Sequence, residues 1–270
     1  MKQLAAEPLS GQRVFERVLV GIDGSEAGRE AAVQAGRLVA PDGAIELAAA
    51  LYLIDANLQH WREDEVAATL DREGGPWLNE AAAAVGPRAA TRLLNGPSKQ
   101  ALLDEAERYG ATLIAVGTHE HSRLSELLIG GVAGPLLHES TCSILIARAA
   151  TSDVLFPLNL VVGVDGSPGS LAALAVAEHL GTRFGTPVRA VLARHGAVDI
   201  VRAELCAPQL EVLDGSAVDA LVDASAASDL VIVGSRGLHG LATLGSVSER
   251  VAHKARSSVL VVRAQPSTSG

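Results

Sequence analysis

The string VLVGIDGS at residues 18–25 decides the fold class, because it returns as LVVGVDGS at residues 160–167. A second match follows in the same order: IAVGTH at residues 114–119 corresponds to VIVGSR at residues 231–236. Two separated matches in one order are typical of an internal duplication rather than of chance. We therefore expect the chain to contain two domains with the same fold.

Each copy opens an alternation of strand and helix patterns. Short β-branched runs predict buried strands, and apolar residues at helical spacing predict helices. The predicted strands are 18–22, 45–53, 89–94, 112–117 and 143–147 in the first copy, and 160–164, 188–193, 209–212, 230–234 and 259–262 in the second. The main predicted helices are 27–38, 98–109, 132–139, 171–184, 217–226 and 246–255, with a further long helix before residue 86 that is interrupted near residues 74–76.

This alternation implies parallel sheets with right-handed crossovers and helices on both faces. We predict an α/β fold of two Rossmann-like, doubly wound domains. The expected division is a loose N-terminal arm at residues 1–16, a first unit at residues 17–150 and a second unit at residues 155–265. In such sheets a ligand lies beyond the carboxyl ends of the strands, where the winding direction reverses.

Composition and charge limit the partners. A net charge of −9 repels nucleic acid and anionic membrane surfaces, so neither is an expected partner. The longest unbroken apolar run, residues 47–54, is far shorter than the roughly 20 residues that span a bilayer. Residues 1–16 do not resemble a secretory signal, and Cys142 and Cys206 do not correspond under the repeat. We therefore expect a cytoplasmic protein with reduced thiols.

The stretch after the fourth strand of the second unit has the composition of a phosphate-binding loop. Glycines let the backbone approach an anion, and the first amides of a helix point toward it. The candidate phosphate contacts are Gly234, Arg236, Gly237, Gly245, Ser246 and Ser248. Glycine-rich loops with serine caps also end many strands without binding anything. Asp165 is likewise either a ligand contact or, as we favour for this residue alone, the start of a turn.

These motifs resemble the universal stress protein family in its tandem form, over nearly all of residues 17–263. The resemblance rests on GVDGS at 163–167, VGSRG at 233–237 and GSVSERVAH at 245–253. It implies five-stranded sheets of order 3-2-1-4-5 and, in many members, an ATP site, with or without Mg²⁺. The family pattern there is glycine, two residues, glycine, nine residues, glycine, then serine or threonine.

The resemblance also implies roles for particular residues. The phosphates would be held by Gly234, Arg236, Gly237, Gly245, Ser246 and Ser248, and Val247 is a further candidate contact with the nucleotide. Val164 and Asp165 would face the adenine and ribose, and Ala193 would lie near the base. In the family the last strands of two domains pair with each other. We therefore expect an internal pseudo-dimer of the two units, and a further association of two chains into a homodimer stays open.

Each unit departs from the family pattern in its own way. In the second unit, seven residues rather than nine separate Gly237 from Gly245. In the first, Glu120 replaces the second glycine and Gly131 replaces the serine or threonine. A carboxylate about 4 Å from a phosphate repels it by roughly 4 kcal/mol at an effective dielectric of 20. Pro135 would also remove a backbone bond from the fourth helix if that helix begins early. We therefore expect ATP mainly in the second unit.

Metal and catalytic chemistry receive little support from the sequence. His119, Glu120 and His121 are consecutive, and neighbouring loop residues rarely converge on one ion. His138 and His253 lie near equivalent helix ends, where an imidazole interacts with helix carbonyls. We identify no catalytic residue and no catalytic motif of known type. The resemblance therefore suggests a nucleotide-binding stress-response regulator or sensor; the alternatives are a nucleotide-independent scaffold for protein partners and a slow ATP hydrolase.

Overall fold

A computed structural model describes residues 14–52, 62–118, 131–149, 156–194, 207, 209–235 and 245–263. The strands are β1 (Arg17–Ile22), β2 (Ala44–Leu51), β3 (Ala89–Asn95), β4 (Leu113–Gly117), β5 (Ser143–Ala147), β6 (Leu160–Gly163), β7 (Val188–Arg194), β8 (Glu211–Asp214), β9 (Leu230–Gly234) and β10 (Ser258–Val262). The helices are α1 (Glu26–Leu38), α2 (Glu63–Val85), α3 (Ser98–Tyr109), α4 (Ala133–Glu139), α5 (Pro168–Phe184), α6 (Ala217–Ser225) and α7 (Ser246–Lys254).

The ten described strands form one sheet in the order β3-β2-β1-β4-β5-β10-β9-β6-β7-β8. Within each half the order is 3-2-1-4-5 and every pairing is parallel. The predicted α/β fold class is therefore confirmed. β8 lies two residues later in the chain than predicted.

The strand-to-helix turns follow directly from the repeated Asp-Gly-Ser. Gly24 and Gly166 adopt positive φ angles of 77° and 78°, which a side chain would disfavour. The next residue then caps the helix: Ser25 Oγ accepts a hydrogen bond from Gly28 N at 3.0 Å, and Ser167 Oγ accepts one from Ser170 N at 3.3 Å. The motif therefore fixes how each first helix leaves its strand.

The predicted interruption of the long helix near residues 74–76 is wrong, since α2 runs unbroken through them. A Cβ on Gly74 would lie 2.7 Å from Leu93 Cδ2, so glycine lets the helix pack closely on the sheet. Leu78 and Ala81, on the turns that follow Pro76, are buried. Packing against the sheet thus offsets the helix-breaking tendency of Pro76.

The two halves join at a seam formed by the antiparallel strands β5 and β10. Leu145 lies opposite Leu260, its own counterpart under the repeat, and the flanking pairs are Ile144 with Val261 and Ile146 with Val259. All six side chains are essentially inaccessible to solvent. Under the repeat, Ile144 corresponds to Val259 and Ile146 to Val261, so the two flanking pairs are equivalent to each other. The two halves are therefore related by an approximate two-fold axis that passes through the leucine pair.

One polar contact at the seam breaks this symmetry. Gln34 on α1 is fully buried, donates to the carbonyl of Arg148 at 2.8 Å and accepts from Ser258 Oγ at 2.7 Å. Its counterpart on α5 is the apolar Val176. The two sides of the axis therefore have different chemistry within a common backbone.

A cluster of charged side chains lies between β2, β3 and α3. Arg108 donates to both Glu105 and Glu46, and Arg92 Nε lies 3.1 Å from Glu105 Oε2. Both carboxylates are buried, with side chains 10% and 4% exposed for Glu46 and Glu105. Burial, together with the neighbouring Glu105 carboxylate, raises the pKa of Glu46 from 4.5 to about 7. The Arg108 hydrogen bonds lower the pKa of Glu105.

Stability is expected to fall as the pH rises through the pKa of Glu46. Below the unfolded pKa, Glu46 is protonated in both states and costs nothing; near pH 8 the folded protein has to hold its charge. Glu46→Gln is expected to remove this fall and to raise the free energy of unfolding at pH 8 by about 1–3 kcal/mol. Urea denaturation at pH 5 and pH 8 measures the effect.

Glu105→Gln is the matched control with the opposite sign. The pKa of Glu105 is lowered in the fold, so its charge stabilises the protein above the unfolded pKa, and its removal is expected to destabilise the protein at neutral pH. An unchanged pH dependence in Glu46→Gln would contradict the assignment.

Other predictions concern the termini and cysteines. Of the predicted N-terminal arm, the structure describes residues 14–16, where Phe15 is buried in the core and its carbonyl accepts from Ala40 N at 3.0 Å. Cys142 is a buried free thiol whose pKa burial raises, and Cys206 lies outside the described residues. Among the helices of the described ranges, none has both the length and the apolar character of a membrane span.

Candidate functional site

A cleft opens in the first unit at the carboxyl ends of β1, β2 and β4. Its volume is about 190 Å³. Asp23 and Ser98 contribute polar groups, and the remaining walls are glycine or apolar side chains, among them Ile22, Leu102 and Val132. β1 and β4 are the strands between which the winding direction reverses, so this is where the fold predicts a ligand.

The repeat relates this cleft to the predicted site residues of the second unit. The counterparts of Val164, Asp165, Ala193, Gly234, Val247 and Ser248 are Ile22, Asp23, Ala50, Gly117, Val132 and Ala133, in that order. All six counterparts line the cleft of the first unit. The matching strand order places the second set at the same edge of its own half-sheet. Arg236 and Gly237 lie outside the described residues.

Gly234 has a packing role that the sequence did not reveal. A Cβ on Gly234 would lie 2.2 Å from the backbone carbon and oxygen of Gly169. Its counterpart Gly117 meets the backbone of Ala27 at 2.3 Å in the same way. Glycine at the end of the fourth strand of each unit therefore lets the first helix approach the sheet, whether or not it also contacts a ligand.

Asp165 forms the turn that we favoured from sequence. Its Oδ1 accepts from Ser167 N at 3.0 Å, and its backbone amide donates to Ser170 Oγ at 3.2 Å. Asp23 makes the corresponding bond to Ser25 N at 3.0 Å. These bonds hold the aspartate at the tip of the strand. Its contact with a ligand stays a prediction.

The start of α7 has the features of an anion site. Gly245 is the residue before the helix, and the first-turn amides at 246–248 have no acceptor inside the helix. The positive end of the helix dipole lies at the same point. Ser246 is exposed, whereas the Ser248 hydroxyl is buried and donates to the carbonyl of Gly234 at 2.7 Å. The Ser248 side chain therefore ties the helix to the strand, and its amide is the group that suits an anion.

The start of α4 is poorer in donors. The third residue of α4 is Pro135, so its first turn has one free amide fewer than that of α7, and Gly131 stands where α7 has the Ser246 hydroxyl. Ala133 replaces Ser248 and lacks the hydroxyl that ties α7 to its strand. The expected loss of a helix bond at Pro135 does not arise, because α4 begins at Ala133 and third-position amides have no partner within a helix. The first unit therefore offers fewer groups for a phosphate.

The two histidines lie in the last turns of α4 and α7, and one of them makes a contact with the other unit. His138 Nε2 lies 3.2 Å from Glu249 Oε1, which joins α4 to α7. Burial lowers the pKa of His253. Among the described residues, no group of three or more histidine, cysteine or acidic side chains could hold a metal ion. The His119–His121 segment lies outside those ranges.

Arg148 and Arg263 follow the last strand of each unit, and no motif marks them in the sequence. Both are buried, with 4% and 6% exposure. Each crosses the seam and donates to a helix carbonyl of the other unit: Arg148 to Ala252 and Arg263 to Leu137. Their equivalent positions under the repeat are the signal that could have found them.

The fold and the cleft define the class of protein: a Rossmann-like α/β protein with two doubly wound half-sheets and a cleft at the switch point. The model of the universal stress protein family matches residues 15–148 and 199–263. The chain therefore belongs to the universal stress protein family.

Known relatives agree with this assignment. The universal stress protein Rv2005c of Mycobacterium tuberculosis is 30% identical over 183 residues, which are 57% of this chain and 62% of the relative. The chain thus spans about 62% of the length of that curated relative.

Solved structures are similar as well. A universal stress protein from Archaeoglobus fulgidus DSM 4304 has a TM-score of 0.69 at 19% identity, with 93% of this chain and 97% of that one covered, which shows the fold. A universal stress protein crystallised in complex with cAMP is 25% identical over 50% of this chain and 98% of its own, with a TM-score of 0.41.

Proposed function

We propose that this protein binds ATP, mainly through the second unit, and acts as a stress-response regulator or sensor. The observation that carries the proposal is the first turn of α7. There three helix amides, the exposed Ser246 hydroxyl and the dipole converge at the carboxyl edge of the half-sheet. The regulatory part of the proposal follows from membership of the family.

The difference between the two helix starts supports the preference for the second unit. The first turn of α7 has three free amides, whereas that of α4, with Pro135 as its third residue, has two. The second unit also has the Ser246 hydroxyl and the Arg250 cation where the first unit has Gly131 and Pro135. A triphosphate carries several negative charges, and each donor or cation near it contributes a charge-assisted hydrogen bond or attraction. In this proposal the first unit is structural or binds nucleotide weakly.

The arrangement of the units belongs to the same proposal. We take residues 17–150 and 155–265 as two domains of a cytoplasmic protein that pair as an internal pseudo-dimer. The pairing of β5 with β10 supports this, because it covers one edge of each half-sheet with the other.

Nucleotide release and thermal unfolding together test the proposal. Heating the purified protein is expected to release an adenine nucleotide that mass spectrometry identifies. Millimolar ATP with Mg²⁺ is expected to raise the unfolding midpoint, since ligand at 100 times Kd stabilises by about 2.7 kcal/mol. Inorganic triphosphate is the control that separates phosphate binding from recognition of the base. No released nucleotide together with no stabilisation by ATP would refute the proposal.

A further inference from the structure

Arg148 and Arg263 make corresponding contacts in opposite directions across the seam, and Arg148 makes one more. The backbone amide of Arg148 donates to Ser258 Oγ at 3.0 Å, and that of Arg263 donates to Ser143 Oγ at 3.1 Å. Their guanidinium groups donate to Ala252 and Leu137, which are counterparts under the repeat. Arg148 also donates to the carbonyl of Ser257 at 3.1 Å. The two arginines are thus a matched pair.

The acceptors lie in the last turns of α4 and α7. The first turn of α4 lines the cleft of the first unit, and that of α7 occupies the equivalent place in the second unit, which we call the cleft of the second unit. Ala252 belongs to α7, which begins at Ser246, and Leu137 belongs to α4, which begins at Ala133. Each arginine therefore bonds to the last turn of a helix of the other unit, and the first turn of that helix lies at the cleft.

The ends of β5 and β10 also bond to the first residue after the fourth strand of their own unit. Ser235, the first residue after β9, donates from its amide to the carbonyl of Val262, directly before Arg263. Thr118, the first residue after β4, donates to Ala147, directly before Arg148. Each arginine thus directly follows a residue that bonds to the first residue after its own unit's fourth strand, while its side chain bonds to a helix of the other unit.

These side chains are poor choices for stability alone. Neither Nε has a hydrogen-bond partner in the described part of the chain, and the hydrogen bonds of both guanidinium groups go to carbonyl oxygens. Burial lowers the pKa of Arg148 to about 10, which leaves it charged at neutral pH. Well-packed apolar residues often replace buried charges without loss of stability. Two buried cations that stability does not need are explained if their function is to fix the positions of α7 and α4.

We propose that each arginine is a positioning residue for the cleft of the opposite unit, so that Arg148 of the first unit orients α7 for nucleotide binding in the second. This inference rests on the proposed function for its ligand. It makes the nucleotide site of one unit dependent on a side chain that the other supplies. Because helix amides have to point at the phosphate, a small rotation of α7 about its first turn weakens several bonds together.

Arg148→Met and Arg263→Met are matched variants that test the proposal. Both remove a buried cation and its bonds to carbonyls of the opposite unit, two bonds in Arg148→Met and one in Arg263→Met, so the loss of thermal stability is expected to be somewhat larger in Arg148→Met. By isothermal titration, Arg148→Met is expected to weaken ATP binding about tenfold, the loss of roughly one charged hydrogen bond. Arg263→Met, which releases α4, is expected to leave ATP affinity within about twofold. Arg148→Lys is expected to recover part of the loss.

Hydrogen exchange supplies a readout that needs no nucleotide. Arg148→Met is expected to speed the exchange of amides in the body of α7, and Arg263→Met that of amides in α4. Equal losses of ATP affinity in the two Met variants, or an unchanged affinity in Arg148→Met, would overturn the proposal. If the wild-type protein does not bind ATP, the proposed function fails. Hydrogen exchange in the two Met variants then tests the positioning role without nucleotide. Faster exchange in the unit that carries the substituted arginine, or throughout the protein, would overturn that role.

Discussion

Val247→Glu is expected to abolish ATP binding while the protein stays folded. Val247 is the second residue of α7 and is half-buried, and its counterpart Val132 lines the cleft of the first unit. A carboxylate about 4 Å from a phosphate costs roughly 4 kcal/mol at an effective dielectric of 20, which corresponds to about a thousandfold loss of affinity. An acidic residue in the first turn of a helix is itself favourable, so the fold is expected to tolerate the change. Isothermal titration with ATP measures the loss.

Val132→Glu provides the matched control, since it puts the same charge at the equivalent position of α4. It is expected to leave ATP affinity almost unchanged, because the first unit contributes little to binding. Equal losses in the two variants would show that both clefts bind nucleotide. Retained binding in Val247→Glu would show that the start of α7 is not the phosphate site. Thermal unfolding of both variants confirms that neither loss reflects misfolding.

Gly234→Ala is expected to be the most destabilising single change at the site. The added Cβ would lie 2.2 Å from the Gly169 backbone, so α5 has to move away from β9. A displacement of packed backbone of this kind is expected to cost about 3 kcal/mol or more of the free energy of unfolding. Urea denaturation without nucleotide measures it, and a loss in the absence of ligand separates packing from phosphate binding.

Gly131→Ala is the comparison for that measurement. Apart from its chain neighbours, no heavy atom of the described residues lies within 4 Å of a Cβ built on Gly131, so the same change of residue is expected to alter stability by less than about 0.5 kcal/mol. If the two alanine variants unfold at the same urea concentration, the close approach of β9 and α5 does not constrain residue 234.

The repeated motif made the fold predictable. Strand order, the serine caps and the turns after β1 and β6 follow from VLVGIDGS and LVVGVDGS, because these depend on local chemistry and on an alternation visible in the sequence. The course of α2 was not predictable in the same way. Gly74 and Pro76 indicate a break when neighbours in sequence alone are considered. The helix continues because it packs against the sheet, and the residues on which it packs, such as Leu93 in β3, are not its neighbours in sequence.

The candidate site was also predictable only in part. Residue types identified the edge of the sheet and the start of α7, but not what each group contacts. The Ser248 hydroxyl and Gly234 stand in a phosphate motif, and the structure shows that they hold α7 and α5 against β9. The roles of Arg148 and Arg263 could not be predicted, because their acceptors are backbone carbonyls more than a hundred residues away and carbonyls have no sequence signature.

Gln34 and Val176 show what covalent fusion of the two copies permits. In an assembly of two identical chains, any substitution appears on both sides of the axis, so a buried glutamine tolerated on one side has to be tolerated on the other as well. Here one gene encodes both sides separately. Gln34 can bond to Arg148 and Ser258 while Val176 packs among apolar neighbours. A substitution can therefore alter the contacts of one half while those of the other half stay unchanged.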